Sequence, residues 1–547
     1  MNFFINSSFN EKNSGIEHAQ LKRAELFRDN NEPFKLVFRE WNPRLHFWLN
    51  KVGVSPSETL AMFDYFQKTE QVEDKIVRVV DLDFSYPNVI YSKNEQEKLY
   101  QVLRKVGERD VFLARVRWFT EDEHERVSMV EKFDGFGNLY RVDHYDFRGF
   151  MTLSQFYTPD NKIGSEIWWD IDGKPVLETY NRFYNNGKYD KAGWRLIEDQ
   201  AVYTFSTIEE LTLHFLNRIN ADYWDDKKLS VFVLDRSHLA DWAVTVMERP
   251  IYSVYHLHNS HAGDAQDTMH SVMNNFYEYG LTNANRYDAI VSATEKQTQD
   301  VKARFAPQTK MFTIPVGVIP NAVFEEERLP MSARKQHSVL VTARVAPEKR
   351  IGEIAMAVGI AKKEIPDINL TIYGYVDHRD NDIAMKKINE AIEKYGLKDA
   401  IEQHDYTANP GDVQANHQIY ALASIMEGFN LSMMEAYSHG MVGVTWDVNY
   451  GPNELTVDGE NGYIIPYGKN TAEIEPLIEK MAAYFVELFK DADKLQAMSD
   501  KSYELSERYS EKNVWKAWRQ LLDDAKKKAI HYTPDVTEGL GNQMPQK

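Results

Sequence analysis

The chain has 547 residues, 43% of them hydrophobic and 13% aromatic, enough for sizeable cores and, at this length, for more than one. Its 64 basic and 83 acidic residues leave a net charge of −19, which argues against broad attraction to nucleic acid or to an anionic membrane surface. With no cysteine, disulfides, thiolate zinc sites and cysteine nucleophiles are excluded, and a reducing compartment fits.

Residues 1–15, "MNFFINSSFNEKNSG", lack the basic and apolar regions of a signal peptide, and no run of about 18 apolar residues follows anywhere. The expected location is the cytoplasm, either free or peripheral at the inner face of the membrane. An apolar strand at Asn2 to Ile5, a glycine loop, a helical pattern at Ala19 to Arg28 and a second strand in "FKLVFRE" open an α/β lobe over residues 1–75. Across 76–199 the period changes to two, and turn signals recur at Asp134-Gly135, Arg148-Gly149, Asp160-Asn161, Asp172-Gly173 and Asn186-Gly187. Consecutive hairpins have that spacing, so an antiparallel β-meander is expected there as an insert. The α/β alternation resumes over 200–322 with "LSVFVLD", "IYSVYHL" and "YDAIVSAT".

A polar stretch, "FEEERLPMSARKQHS", reads as a linker into a second lobe at 323–532, followed by a tail at 533–547. In that lobe "SVLVTA", "INLTIYG", "AIEQH", "ALASIM", "VGVTWDV" and "GYIIP" alternate with helices, one near Val413 to Tyr420, as in a doubly wound parallel sheet. The last helix aligns Trp515, Trp518, Leu522 and Ala525 on one face, which marks it as a docking helix.

Ligands of such sheets gather at the carboxyl ends of strands. Glu427 follows "ALASIM", and Glu435 comes eight positions later, in the helix that starts near Asn430. Between them, the first-turn amides of Phe429, Asn430, Leu431 and Ser432 suit an anion, and Gly428 permits a close backbone approach. Two carboxylates around an anion site suit a ligand with hydroxyls on both sides of a phosphate, as in a nucleotide sugar. Solvated helix faces are the plain alternative for the pair. Arg344 and Lys349, in "VTARVAPEKR" after the lobe's first strand, supply cations for a diphosphate, or else form a solvated basic loop.

In "VYHLHNSHAGD", His256, His258 and His261 have three readings: a zinc site, satisfied structural histidines, or contacts to a sugar and its leaving group. "DLDF" at Asp81 to Phe84 reads as strand punctuation. Gly15 is an ordinary turn residue or a loop facing a ligand. Trp168 and Trp169 read as core before sugar platforms, but they are adjacent on a strand and face opposite sides, which leaves room for one to be exposed or in an interface.

The E-x7-E pair Glu427 and Glu435, with R-x4-K at Arg344 and Lys349, resembles the retaining glycosyltransferases of the GT-B type, two Rossmann-like lobes. The inserted meander, "DVNYGPNE", "DGENGYIIP" and "NSGIEHA" are similar to the bacterial GtfA-type and TarM-like group, which glycosylates serine-rich surface proteins or wall teichoic acid. The resemblance implies that Arg344 and Lys349 hold a UDP diphosphate and Glu435 the ribose, and that Tyr406 lies beside the uracil. It also implies that Glu427 and His256 contact the donor sugar, that Asn430, Leu431 and Ser432 fix phosphate and sugar, and that Gly15 leaves room for the phosphate. No metal or other cofactor is implied, and the departing phosphate itself takes the acceptor's proton. His258, Asn259 and His261 fall where the group varies, leaving acceptor chemistry open.

The activity expected is transfer of a sugar, GlcNAc first, from UDP to serine or threonine hydroxyls of a repeat-rich surface protein. The alternatives are α-glycosylation of a teichoic acid polyol, a non-catalytic co-transferase or chaperone partner, and a metal-dependent hydrolase. The meander is expected to serve acceptor binding or assembly, as a homo-oligomer or with a partner glycosyltransferase.

Overall fold

The computed structural model describes residues 1–530 except 406, 408–409, 469–470 and 472. The described chain forms two compact units, one of residues 1–14 and 33–251, the other of 15–32 and 252–530.

In the first unit, four parallel strands pair in the order Ser230–Leu234, Asn2–Asn6, Phe34–Phe38, Thr59–Ala61. Burial on both faces explains why they read as unbroken apolar runs. The meander is a ten-stranded antiparallel sheet from Val89–Asn94 to Ala201–Phe205, each strand paired only with its sequence neighbours. Its turns at Asp134, Asp146 and Asp170 share one chemistry. At Asp170–Lys174 the Gly173 amide donates to the Asp170 carbonyl at 3.0 Å, the Asp170 carboxylate accepts from Asp172 and Lys174 amides, and Gly173 takes φ +78°. The turn at Asp134 places its left-handed residue at Gly137, two positions beyond Gly135.

Trp168 is core, packed at 5.5 Å on Trp194 and 5.0 Å on Phe63, while Trp169 is half-buried and donates its indole N–H to Ser154 Oγ at 2.9 Å. The two rings thus face opposite sides of the strand, one in the core and one half-buried. "DLDF" starts on the last residue of a short 3₁₀ turn, Val79–Asp81, and leads toward the first meander strand. A buried charge network pins the corner at 146–149: Arg148 donates to Asp146 at 2.7 Å and to the Thr69 carbonyl at 2.7 Å, and reaches Asp64, which also takes His46 Nε2 at 2.6 Å. Gly149 is required there, since its φ is +90° and a Cβ would fall 1.9 Å from the Lys75 carbonyl oxygen.

In the second unit, the parallel strands Ile251–Leu257, Ala289–Ser292 and Lys310–Thr313 lie in that order. A six-stranded parallel sheet follows, ordered Ile401–His404, Asn369–Tyr373, Ser338–Thr342, Ile419–Leu422, Val442–Trp446, Gly462–Ile465. One expectation changes here. The helix expected to Tyr420 spans Pro410–Ala415, and the strand is Ile419–Leu422, because Ile419 to Leu422 pair in register with Val442 to Thr445. Helix Gly15–Asp29 groups with the later residues. The carboxy-terminal helix Glu511–Ile530 is the reason: Phe27 meets Trp515 and Trp518 edge-on at 5.3 and 5.8 Å, and the Tyr252 hydroxyl donates to Asp524 at 2.7 Å.

The polar stretch at 324–338 is anchored rather than loose. Buried Arg334 donates to the carbonyls of His417, His439 and Leu329 and to Tyr503. Among the described residues no helix is long and apolar enough to cross a membrane. The tail expected at 533–547 lies outside the described residues.

Candidate functional site

The second unit brings most of the expected site residues to the carboxyl ends of its strands. After Ser338–Thr342 the chain turns tightly over Gly374, where a Cβ would sit 1.9 Å from the Ala343 carbonyl oxygen. Arg344 follows, gripped by Asp377 and Glu348. Lys349 forms an ion pair of 2.6 Å with Glu427, whose residue is only 8% exposed. The Glu348 carbonyl accepts from the Ile425 amide at 3.0 Å, which ties the cationic loop to the segment carrying Glu427. Glu427 is fixed from its other side by backbone bonds to Asn449 and Tyr450, and Gly451 packs against Phe429 where no Cβ fits.

Asn430 caps helix Leu431–Ser438, accepting from the Met433 amide at 2.9 Å. The amides of Leu431 and Ser432 therefore stand at the open first turn, with the positive end of the helix dipole beside the Lys349 and Glu427 pair. Gly428 does make a close approach, but to protein: a Cβ would lie 2.0 Å from the His258 carbonyl oxygen. That contact joins the Glu427 segment to the one bearing His256.

His256 ends strand Ile251–Leu257 and is 1% exposed. Arg23, itself buried, donates to its Nδ1 at 3.3 Å. The rings of His256 and His258 are 4.1 Å apart, but His261 is packed between Tyr450 and Phe305, so the three histidines are not gathered into one ligand set. Burial, with the positive charge of Arg304 beside it, pushes the His261 imidazole down to about 4. His261 is core and is withheld from any acceptor.

Gly15 starts its helix with open space around its Cα, nothing lying within 4 Å of an added Cβ. One turn on, His18 and Lys22 approach Glu435, Lys22 pairing with it at 2.9 Å; burial holds the His18 imidazole below its usual range against the pull of that carboxylate. Tyr406 lies outside the described residues. Sequence reasoning missed Lys22, Arg23, Glu348 and Asp377. Charged residues on a helix face or in a polar loop are ordinarily solvated, and nothing in the spacing of Lys22 and Arg23 announces partners more than 200 residues away.

The arrangement is a run of cations and amide donors between two carboxylates, with no nucleophile held by a base. Residues 325–503 match the family described as glycosyl transferases group 1. Over 545 residues the chain is 28% identical to the UDP-N-acetylglucosamine–peptide N-acetylglucosaminyltransferase GtfA subunit of Streptococcus gordonii, covering 95% of this chain and 98% of that one. It is 25% identical over 541 residues to the poly(glycerol-phosphate) alpha-glucosyltransferase of Bacillus subtilis, covering 95% and 74%. A solved GtfA/B complex contains a chain that superposes with a TM-score of 0.78 at 25% identity, covering 96% of this chain and 99% of that one.

The chain has a GT-B-type fold and carries a group 1 glycosyl transferase block.

Its group 1 block contains Arg344, Lys349, Glu427, Asn430 to Ser432 and Glu435, whereas Gly15, Lys22, Arg23 and His256 lie outside it. The glycosyltransferase thus assembles its candidate site from the matched block and from two earlier segments that the same compact unit recruits. A cavity of about 510 Å³ belongs to the meander, lined by Tyr180, Trp194 and Phe205 among others, and contains none of these residues.

Proposed function

We propose that the glycosyltransferase transfers GlcNAc from UDP-GlcNAc to serine or threonine hydroxyls of a serine-rich, repeat-containing bacterial surface protein. The observation that carries the reading is the Lys349 and Glu427 pair at the open start of helix Leu431–Ser438, with Arg344 held alongside. End-to-end similarity to the GtfA subunit of S. gordonii supports the donor and the acceptor class.

In this reading Arg344 and Lys349 take the diphosphate, Leu431 and Ser432 amides add to it, Glu435 binds ribose, and Glu427 with His256 contacts the sugar. The bond from the anomeric carbon to the phosphate oxygen breaks as the acceptor oxygen bonds to that carbon on the same face. The acceptor proton passes to the departing phosphate oxygen, so configuration is retained without a protein base. Fixed cations that stabilise a departing diphosphate do the work a divalent metal does elsewhere, so turnover should survive chelation. Similarity to the GtfA/B complex supports assembly with a partner protein, and in this reading the meander is the surface that takes a partner glycosyltransferase.

Glycosylation of a teichoic acid polyol phosphate is the second reading, supported by the similarity to the B. subtilis enzyme; the net charge of −19 weighs against a polyanionic acceptor. UDP release should be measured from UDP-GlcNAc and UDP-glucose, with a serine-rich repeat peptide, with teichoic acid and with EDTA. The reading expects stimulation by the peptide, no loss with EDTA, and a fall of about 10²-fold or more in Glu427→Gln. Stimulation by teichoic acid alone selects the second reading, and UDP binding without release under any condition selects a non-catalytic partner.

A further inference from the structure

The buried contact between helix Gly15–Asp29 and His256 has no part in the reading so far. Arg23 is 3% exposed, and its guanidinium stands 3.3 Å from His256 Nδ1 and 5.2 Å over the ring of Trp518. Trp518 in turn meets His256 edge-on at 6.0 Å, and Phe27, one turn along from Arg23, packs on Trp518. Arginine therefore reaches the imidazole from a slot closed by the carboxy-terminal helix, where its position is set by packing and by the indole face.

A guanidinium has donors only and keeps its proton at every accessible pH. The ring nitrogen it touches must offer a lone pair, so Nδ1 is unprotonated and the single proton is on Nε2. An imidazolium would instead press two N–H donors against each other across a short buried gap. The hydrogen bond made by one ring nitrogen thus decides what the other presents.

We propose that Arg23 is a positioning residue that holds His256 as the neutral imidazole protonated on Nε2, so that the ring meets the donor sugar as a hydrogen-bond donor. The proposal deepens, and rests on, the reading of His256 as a donor-sugar contact. A hydroxyl or carbonyl oxygen of the sugar is the group such a donor suits, and a metal ion, which needs a free lone pair on Nε2, is the group it refuses.

Nitrogen-15 histidine spectra of the full chain, with His256 assigned by difference from His256→Gln, test this directly. The expected wild-type signature is a pyrrole-type Nε2 and a pyridine-type Nδ1, kept in Arg23→Lys and lost in Arg23→Met. In UDP release from UDP-GlcNAc, Arg23→Met should lower kcat roughly tenfold with KM within about twofold, and Arg23→Lys should restore most of it. A wild-type ring protonated on Nδ1 or on both nitrogens overturns the proposal, whatever the kinetics, as does an unchanged tautomer in Arg23→Met. An unchanged rate in His256→Gln, with the expected tautomer observed, instead overturns the reading of His256 as a sugar contact and leaves the assignment to Arg23 standing.

Discussion

Both compact units hold charges away from water, but they do so in different ways. In the meander unit the charges at one corner are closed on themselves: Arg148 satisfies Asp146, Asp64 and the Thr69 carbonyl, and Asp64 also takes His46. In the donor-side unit the pairs are looser in composition, one cation to one or two carboxylates at strand ends, with side chains of Lys22 and Glu435 24% and 23% exposed. A closed network has nothing left to offer a ligand. A simple pair at a helix start can exchange one partner for a phosphate or a hydroxyl, so under the proposed function the same residue types serve architecture in one place and binding in the other.

Cutting a closed network should therefore cost stability and spare binding. Burial works against the Asp64 carboxylate, but the His46 hydrogen bond and the Arg148 charge outweigh it and hold Asp64 below the usual range. Arg148→Met leaves Asp64 and Asp146 buried without their cation, and the expected loss is about 3–5 kcal/mol in denaturant unfolding. UDP affinity of the folded fraction should be unchanged. A loss below about 1 kcal/mol would mean that water already satisfies this corner.

Burial of a titrating ring in the donor-side unit gives an acid-sensitive counterpart. His261 is fully buried, and it takes up a proton at about 4 in the folded chain against 6.5 when unfolded. Between those values the unfolded chain binds more protons, so stability falls as pH is lowered from about 6.5 and the loss levels off near pH 4. The shift corresponds to about 3 kcal/mol. His261→Asn should remove most of that slope in urea unfolding measured from pH 7.5 to 4.5; an equal slope in the variant would transfer the effect to other groups.

The sequence pattern made much of this architecture legible. Alternation and turn residues marked the meander, because several of its hairpins, as at Asp134 and Asp170, close through their own Asp and Gly within five residues. Apolar runs separated by helices marked the parallel strands, and Arg344, Lys349, Glu427 and Glu435 stood out because their spacing is local. What could not be read depends on contacts distant in the chain. Lys22 and Arg23 are two more charges on an amphipathic helix until Glu435 and His256, more than 200 residues on, come to meet them. His261 looked equivalent to His256 because the spacing of three histidines says nothing about which ring Tyr450 covers. Gly428 was expected against a ligand and lies against the His258 carbonyl, a distinction that only packing decides.

The smallest effect sharpens the contrast most. If Glu435 binds ribose, its pair with Lys22 is a contact the donor must displace, and a pair about a quarter exposed is worth only about 0.2–1 kcal/mol. Lys22→Met should then leave the melting temperature nearly unchanged and tighten UDP binding by up to about fivefold, with less dependence on salt. The alternative is that Lys22 swings from Glu435 to the diphosphate when the donor arrives, in which case the same variant weakens UDP by roughly tenfold and steepens nothing in salt. Titration calorimetry at two salt concentrations separates these outcomes, because competition with Glu435 and attraction to phosphate change affinity in opposite directions.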